Sequence, residues 1–425
     1  MKLKIALIYS HESSQWVSCQ KIVANLLKAY TIQTSEYEII HFDYGSETSP
    51  ETWTSLKKLE EIKPELLIFL DHKPHPLALL ELLFHLCAEN YKPRLIFHLY
   101  GDFTLNLDKW QTLLELLKNR SLFFYAASNR QLMMLTEFIP KENLGLCPFP
   151  VDGEDFPISL ETRSITRNVY NWQNDETVFL YTGRLSCQKQ IHLLIPHFSN
   201  WRAKTKANAR LVLIGEPDSL GKPFEDRNEW EGEYFQQIIE IVSNLDPEEQ
   251  QRIEFHGFKS NSQLLNYYNA ADCFINLSVH HDEDFGMSCA EALSTGLPMI
   301  LSNWAGFASF KTQNLKSHVN LIPVHLTDQG PQLEIDAIAD ELSSFKPADQ
   351  MTRLKIRELA LEDLGIKSVK NIISYGLNMP CLFKGSKVFL QEAAYREKFF
   401  TKNTFYSHRE RKYNDIYLKT YKHYV

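Results

Sequence analysis

Short apolar runs that alternate with helical segments constrain the fold of this 425-residue chain more than any other feature. Continuous apolar runs separated by helices are typical of parallel strands that are buried on both faces of a sheet. The runs are KIALIY (Lys4–Tyr9), EIIHF (Glu38–Phe42), LLIFL (Leu66–Leu70), LIFHL (Leu95–Leu99), LFFYA (Leu122–Ala126), VFLY (Val178–Tyr181), RLVLI (Arg210–Ile214), IEFH (Ile253–His256), DCFINL (Asp272–Leu277) and MILS (Met299–Ser302).

The runs form two sets, which are separated by a polar stretch between Pro157 and Asp175. A chain of this length is too long for one ordinary hydrophobic core, so two domains are expected. We therefore predict an α/β protein with two doubly wound, Rossmann-like domains. The predicted domains are residues 1–160 and 161–380, and residues 381–425 form a C-terminal helical segment.

Composition excludes several classes of protein. A net charge of −8 argues against a general nucleic-acid binder, which needs a basic face. The seven cysteines are scattered without CxxC spacing, so neither a disulfide framework nor a zinc site is indicated. No signal peptide and no apolar run of about 18 residues is recognisable, and a cytoplasmic protein is expected.

The stretch Asp282–Leu301, DEDFGMSCAEALSTGLPMIL, predicts a loop that becomes a helix. The loop follows the strand DCFINL, and the helix is expected from Gly286 to Thr295. Gly296 then supplies a left-handed cap, which glycine adopts without strain. The free N–H groups at the start of such a helix suit a phosphate or a polarised hydroxyl.

Two carboxylates, Glu283 and Glu291, lie on either side of this helix start. A carboxylate at Glu291 can accept hydrogen bonds from both hydroxyls of a ribose, and Glu283 could meet another polyol. The alternative is that both are solvated surface residues. That alternative is unattractive for Glu291, whose helix looks well buried, because buried carboxylates need partners. For Glu283 both interpretations stay open.

A second motif is YTGRLSCQKQIHLLI (Tyr181–Ile195), which follows a predicted strand. It turns at Gly183 and carries Arg184 and Lys189 before an amphipathic helix. Two cations at the carboxyl end of a strand can neutralise a diphosphate without a metal ion, Arg184 as a bidentate fork and Lys189 as a point charge. Read alone, the motif is weak, because an arginine and a lysine at a helix start are usually surface charges.

Together the two motifs resemble glycosyltransferase family 4, the retaining nucleotide-sugar enzymes of the GT-B fold. The segments GRLSCQK, LVLIG, FHGF, ADCFINLS and EDFGMSCAEALSTGLP occur in the order of the family, over most of the second half of the chain. The first half resembles it more faintly, in FPVDGEDFP (Phe149–Pro157) and LIFHLYGD (Leu95–Asp102). One departure is the loop SHESSQW (Ser10–Trp16), which is often glycine-rich in the family.

The resemblance implies two domains that face each other across a cleft, the first on the acceptor side and the second on the donor side. It implies a retaining, metal-independent hexosyltransferase without a cofactor. Such an enzyme moves a sugar from a UDP- or GDP-sugar to a glycan, lipid-linked or protein acceptor, in cell-surface polysaccharide biosynthesis.

The resemblance also implies roles for individual residues. Arg184 and Lys189 stabilise the leaving diphosphate, Glu283 orients the sugar, Glu291 holds the ribose, and His98 faces the donor sugar. The expected catalytic residues are Arg184, Lys189, Glu283 and His98, and the expected donor-binding residues are Gly183, Gly257, Phe258, Asp284, Phe285, Gly286, Met287 and Glu291. His98 is as readily interpreted as a core histidine at a strand end.

Two other functional classes remain as alternatives. One is a non-catalytic relative, a sugar-binding or partner-stabilising subunit that kept the fold. The other is an NAD-dependent oxidoreductase, which ranks last because SHESSQ stands where G-x-G-x-x-G is expected.

The C-terminal end from Phe399 onward is rich in tyrosine and basic residues. It could lie peripherally on an anionic membrane surface that carries a lipid-linked acceptor. The favoured interpretation is that the segment packs back on the N-terminal domain, as the last helix does in the enzymes it resembles.

Overall fold

A computed structural model of the protein describes residues 2–10, 17–33, 36–44, 50–72, 75–86, 91–101, 103–221, 230, 232–379, 382–400 and 414–425. Contacts divide the chain into two compact units, and the chain contributes two segments to each of them. The first unit comprises Met1–Asp152 and Leu364–Thr404, and the second comprises Gly153–Asp363 and Phe405–Val425.

The secondary structure alternates between strands and helices along most of the chain. The strands are β1 (Lys4–Tyr9), β2 (Glu38–Asp43), β3 (Leu66–Phe69), β4 (Arg94–Leu99), β5 (Leu122–Ala126), β6 (Leu144–Leu146), β7 (Thr177–Thr182), β8 (Ala209–Ile214), β9 (Ile253–Phe255), β10 (Cys273–Asn276), β11 (Met299–Ser302), β12 (Val319–Ile322), β13 (Val324–Thr327) and β14 (Gly330–Leu333). The helices are α1 (Val17–Thr31), α2 (Pro50–Ile62), α3 (Leu77–Leu86), α4 (Leu107–Leu116), α5 (Asn129–Leu135), α6 (Leu160–Val169), α7 (Ile191–Thr205), α8 (Glu233–Ser243), α9 (Pro247–Gln250), α10 (Asn261–Ala270), α11 (Met287–Ser294), α12 (Asp336–Ser344), α13 (Gln350–Leu364), α14 (Ile372–Leu377), α15 (Val388–Phe400) and α16 (Asn414–Tyr421).

The first unit is built on a six-stranded sheet in the order β2-β1-β3-β4-β5-β6. Its described strand pairs are all parallel. The four residues of β3 are buried, as expected for a central strand covered on both faces. The second segment of this unit, Leu364–Thr404, adds α15, which packs near α4. Phe389 of α15 stacks on Phe138 with ring centroids 5.3 Å apart.

The second unit is built on a six-stranded sheet in the order β12-β11-β10-β7-β8-β9, with parallel pairing throughout the described residues. Strands β13 and β14 form a separate antiparallel hairpin. The residues of β10 and β11 are buried, and Phe179 of β7 packs edge-on against Phe198 and Trp201 of α7. Two helical layers therefore enclose a parallel sheet, which confirms the predicted α/β fold class.

Each of the ten predicted apolar runs is a strand in the structure, with bounds that agree to within one residue at either end. Strands β6, β12, β13 and β14 were not predicted from the sequence. They are three or four residues long, and their sequences (LGL, VNLI, VHLT and GPQL) lack an apolar run of the length that marked the others.

The division of the chain differs from the predicted one. The first unit ends at Asp152 rather than at residue 160, and residues 364–380, predicted in the second domain, group with the first. Of the C-terminal segment, residues 382–400 group with the first unit, whereas residues 414–425 group with the second. The reason is that Tyr417, Tyr421 and Tyr424 of this segment are buried against the second unit.

Two predictions fall partly outside the described residues. They concern the loop at residues 11–16 and the basic side chains Lys402, Arg409, Arg411 and Lys412. Within the part of the chain that the structure describes, no helix combines the length and the apolar character needed to span a membrane.

Candidate functional site

The carboxyl ends of β7 and β10 mark the position where a ligand site is expected in the second unit. Numbered along its own sheet, this unit has the strand order 3-2-1-4-5-6, in which β7 is strand 1 and β10 is strand 4. The chain leaves these two neighbours in opposite directions, and doubly wound domains bind ligands at such a topological switch point. We call residues 183–190 the β7 loop and residues 277–286 the β10 loop. Both sequence motifs therefore meet at this edge.

Three glycines follow β7, β8 and β9 and allow the loops to approach closely. Gly215 donates from its N–H to the carbonyl of Gly257 at 3.1 Å, and Gly183 donates to the carbonyl of Ile214 at 2.9 Å. A Cβ at Gly215 would overlap the carbonyl oxygen of Gly183, and both residues have positive φ. The backbones of these loops therefore touch, which glycine permits because it has no side chain.

Arg184 lies in the β7 loop and is held by a carboxylate that the sequence motif did not reveal. Its Nη1 lies 2.5 Å from Oδ2 of Asp218, which follows β8. The other oxygen of Asp218 accepts from the N–H of Leu220 at 2.7 Å, and the hydroxyl of Tyr181 donates to the carbonyl of Arg184 at 2.7 Å. The Arg184 side chain is about a quarter exposed.

Lys189 is the most buried cation of the site. It ends a short 3₁₀ turn, Cys187–Lys189, and its Nζ forms an ion pair with Glu283 and lies 3.3 Å from Oγ of Ser278. Both charged side chains are about nine-tenths buried, so their attraction is screened less than that of a surface pair. The next residue, Gln190, has a φ of 60°, a left-handed conformation that glycine adopts with less strain.

Glu291 lies on α11 and is 6% exposed. Its Oε2 accepts a hydrogen bond from the hydroxyl of Tyr268 at 3.1 Å, and that hydroxyl lies 3.1 Å from Oγ1 of Thr182 at the end of β7. Burial, followed by the nearby Glu291 carboxylate, raises the pKa of the Tyr268 phenol well above its usual range. The phenol therefore keeps its proton and donates, which satisfies part of the carboxylate's demand for partners.

The β10 loop carries the other expected donor-binding residues. Asp284 accepts a hydrogen bond from the hydroxyl of Tyr424 at 2.8 Å, and Phe285 packs on Phe310 with ring centroids 5.1 Å apart. Gly286 has a φ of 98° and precedes Met287, the first residue of α11. A Cβ at Gly286 would press on the Phe307 ring, so the helix start is closely packed there.

The buried side chains of Cys289 and His280 lie close enough to the charged candidate residues for those charges to shift their pKa values. Burial raises the pKa of the Cys289 thiol well above its usual range; the charges of Glu283 and Glu291 add to this, and Lys189 opposes them. Burial lowers the pKa of the His280 imidazole well below its usual value, and Lys189 and Arg184 act in the same direction. The structure thus brings Arg184, Lys189, Glu283 and Glu291 together at the carboxyl edge of one sheet.

The remaining candidates are Gly257, Phe258 and His98. Gly257 and Phe258 follow β9, the edge strand, and Phe258 is about half exposed. His98 lies in the first unit, within β4, and is 1% exposed. Its Nε2 lies 2.7 Å from the hydroxyl of Tyr30, and burial lowers its pKa to about 3. These contacts favour the alternative interpretation of His98 as a neutral core histidine.

Other features of the described residues offer less for ligand chemistry. No group of three or more His, Cys, Asp and Glu side chains in the described part of the chain could hold a metal ion. A cavity of about 230 Å³ near α6, α10 and α13 is lined by Arg163 and Arg353. Their guanidinium groups already donate to backbone carbonyls such as those of Asn269 and Ala271, so these cations serve the fold.

One family model of known proteins matches the region that contains the site. Residues 162–316 match the family model described as "Glycosyl transferases group 1". The matched residues lie within the second unit. The match contains Arg184, Lys189, Glu283 and Glu291.

Curated relatives match over a similar length. Mannosylfructose-phosphate synthase of Agrobacterium fabrum is 32% identical over 155 residues, which are 36% of this chain and 31% of the relative. Lipopolysaccharide 1,2-N-acetylglucosaminetransferase of Salmonella typhimurium is 29% identical over 144 residues, 34% of this chain and 35% of the relative. The chain thus spans about a third of the length of these curated relatives.

Solved structures extend the likeness to both units. The crystal structure of HepE from Anabaena, in complex with UDP and glucose, has a TM-score of 0.60 and 14% identity to this chain. The alignment covers 88% of this chain and 99% of HepE. At this identity the likeness concerns the fold, which is the GT-B fold predicted from the sequence.

Proposed function

We propose that the protein is a retaining, metal-independent glycosyltransferase of family 4 that uses a nucleoside diphosphate sugar. The donor would be a UDP- or GDP-hexose, and the acceptor a glycan, a lipid-linked sugar or a protein in cell-surface polysaccharide biosynthesis. The match of residues 162–316 to the glycosyl transferases group 1 model supports this proposal. So do the name of the Salmonella relative, which acts on lipopolysaccharide, and the UDP and glucose bound by HepE.

One observation carries the proposal: a nearly buried lysine and an arginine meet two carboxylates at the switch point of the matched domain. In the structure Lys189 is paired with Glu283, and Arg184 with Asp218. A bound diphosphate would replace these carboxylates as the partner of the two cations. Because Lys189 is nearly buried, its charge would act on the phosphate with little screening by solvent.

The reaction requires a bond to break between the anomeric carbon and the departing phosphate oxygen. Negative charge then grows on the diphosphate, and preorganised cations stabilise it without a metal ion. The acceptor oxygen forms the new bond on the same face, and its proton passes to the departing phosphate oxygen. Glu283, released from Lys189, would accept hydrogen bonds from sugar hydroxyls, and Glu291 would hold the ribose.

Lys189→Ala tests this mechanism. We expect turnover of the nucleotide sugar to fall on the order of 10²-fold or more, the loss typical of one charge-stabilising group. Release of the nucleoside diphosphate should be followed, first with water as the acceptor. The matched control is Lys204→Ala, because Lys204 is an exposed lysine in the last turn of α7. The control should retain normal turnover.

A screen of UDP-, GDP- and ADP-sugars by thermal shift would select the donor for this assay. Normal turnover of Lys189→Ala would remove Lys189 from the mechanism. Binding of a nucleotide sugar by the wild type without any turnover would instead support the non-catalytic alternative. The anomeric configuration of the product, read by NMR, decides whether the transfer is retaining.

A further inference from the structure

The C-terminal residues 414–425, which we call the C-terminal clamp, pack against the β10 loop within the second unit. The clamp consists of α16 and a 3₁₀ turn, Lys422–Tyr424. Its side chains Tyr417, Tyr421 and Tyr424 are fully buried. The burial of three aromatic rings therefore indicates that this end has a structural partner.

That partner includes the indole of Trp304, which lies two residues after the end of β11. The Trp304 and Tyr424 rings meet edge-on, with centroids 5.3 Å apart, and Tyr421 lies 5.0 Å from Tyr424. Trp304 donates from Nε1 to the carbonyl of His280 at 2.7 Å. Since His280 belongs to the β10 loop, the aromatic group is tied directly to that loop.

The clamp also bonds the loop at a functional position. The hydroxyl of Tyr424 donates to Oδ1 of Asp284 at 2.8 Å, inside a buried environment. Burial, with the Asp284 carboxylate as the next cause, raises the pKa of the Tyr424 phenol well above its usual range, so the group remains a donor. A hydrogen bond to a charged acceptor is stronger than one between neutral groups.

A further contact fixes the backbone of the loop from the side of Trp304. Gly306 donates from its N–H to the carbonyl of Glu283 at 2.8 Å. A Cβ at Gly306 would overlap the backbone of Asp284, so the two segments are in direct contact. The β10 loop thus lies between the 3₁₀ turn Ala305–Phe310, the side chain of Lys189 and the clamp.

We propose that Tyr424 is a positioning residue for the donor sugar, acting through Asp284 to hold the β10 loop that presents Glu283. This inference rests on the proposed function, in which Glu283 orients sugar hydroxyls. A site loop must be held in its productive geometry by contacts from outside the site, because small displacements weaken catalysis. The last residues of the chain supply that contact.

The placement predicts which half of the donor depends on the clamp. Glu283 and Asp284 precede Gly286, whereas Glu291 lies on α11 and is bonded to Tyr268. Loss of the Tyr424 hydroxyl should therefore disturb the sugar end of the site and leave the nucleotide end intact. A purely structural role for Tyr424 would produce no such split.

The test compares Tyr424→Phe with wild type by hydrogen–deuterium exchange of peptides that cover residues 278–286. We expect about tenfold faster exchange in these peptides, the scale of losing one hydrogen bond to a charged group. The matched control is Tyr91→Phe, which removes a phenol that donates to the carbonyl of Pro64 at 2.9 Å in the first unit. This control should leave exchange at residues 278–286 unchanged.

A second measurement separates positioning from simple stability. We expect Tyr424→Phe to bind UDP with an affinity within about twofold of wild type by calorimetry, and to hydrolyse UDP-glucose about tenfold more slowly. Unchanged exchange in the loop overturns the inference, whatever the ligands do. Faster exchange with unchanged hydrolysis also overturns it.

Failure of the proposed function gives a different result. In that case wild-type protein would bind none of the UDP-, GDP- and ADP-sugars. The exchange measurement needs no ligand, so it still decides whether Tyr424 holds the β10 loop.

Discussion

At the scale of single residues, the polar partner of each candidate group decides what it can do. Glu291 and Glu283 look alike in the sequence, but Glu291 is bonded to a buried phenol and Glu283 to a nearly buried ammonium. The phenol donates one hydrogen bond to Glu291 and so fixes the direction of that carboxylate. The ammonium group of Lys189 compensates the charge of Glu283 until another anion, such as a diphosphate, replaces this carboxylate as its partner.

Glu291→Gln tests the ribose assignment with little change in shape. We expect the affinity for the nucleoside diphosphate to fall about tenfold, because hydrogen bonds to a charged acceptor are replaced by bonds to a neutral one. Isothermal calorimetry measures this, and Glu240→Gln, an exposed residue of α8, is the control. Equal affinity of Glu291→Gln and wild type would contradict the ribose role.

His98 shows that burial alone fits two interpretations of a motif at this scale. The sequence placed it near the end of a strand, in a segment that resembles a sugar-facing strand. The structure shows that its side chain points into the core beside Tyr30 and Tyr125. Strand periodicity indicates that a residue is buried, but it leaves open whether that residue faces a core or a ligand.

At the scale of elements, close contacts between the loops after β7, β8 and β9 shape the edge that holds the site. Gly183, Gly215 and Gly257 each take a positive φ at the corresponding strand end. The approach of Gly215 to Gly183 leaves no room for a side chain. The spacing of these loops is therefore set by backbone contact.

Gly215→Ala should destabilise the second unit by about 3 kcal/mol, because the added Cβ forces the two backbones apart. Thermal unfolding measured by calorimetry would show this as a lower Tm. Gly257→Ala is the matched control: its φ is 62°, but a Cβ there would have no described heavy atom within 4 Å. The control should lose about 1 kcal/mol from the left-handed conformation alone. Equal losses in the two variants would show that the contact between loops is not the cause.

The predicted strands can be recognised from their own residues, whereas the strands that were not predicted depend on pairing with a neighbour. Runs such as LFFYA and MILS carry enough apolar residues to predict a buried strand by themselves. Strand β6, of three residues, becomes a strand because it pairs with β5. Strands that depend on a neighbour for their definition leave little signal in their own sequence.

At the scale of the whole molecule, the chain contributes two segments to each unit, and its last residues belong to the second. Residues 382–400 group with the first unit, in line with the expectation for residues 381–425, whereas residues 414–425 group with the second. The aromatic side chains of the clamp are buried, so they form part of the core of the second unit. Lys419 and Lys422 remain exposed, on the outside of the clamp.

Ending the chain at residue 413 should lower the stability of the second unit by on the order of 5 kcal/mol, from the loss of several large buried side chains. Calorimetry should show a lower Tm for the transition of that unit. Removal of Val425 alone is the control, because this residue is 43% exposed and the three tyrosines remain. An unchanged Tm in the longer truncation would mean that the clamp does not contribute to this core.

The sequence by itself determined the fold class, the ten principal strands and the four side chains that meet at one edge of the second sheet. Apolar periodicity and the rule for switch points act locally or within one sheet, so they can be read from the order of residues. Only the tertiary structure decided the partners Asp218, Tyr268 and Tyr424. Asp284 and Tyr424, for example, are 140 residues apart. Such contacts depend on how distant segments pack, and no spacing in the sequence encodes that packing.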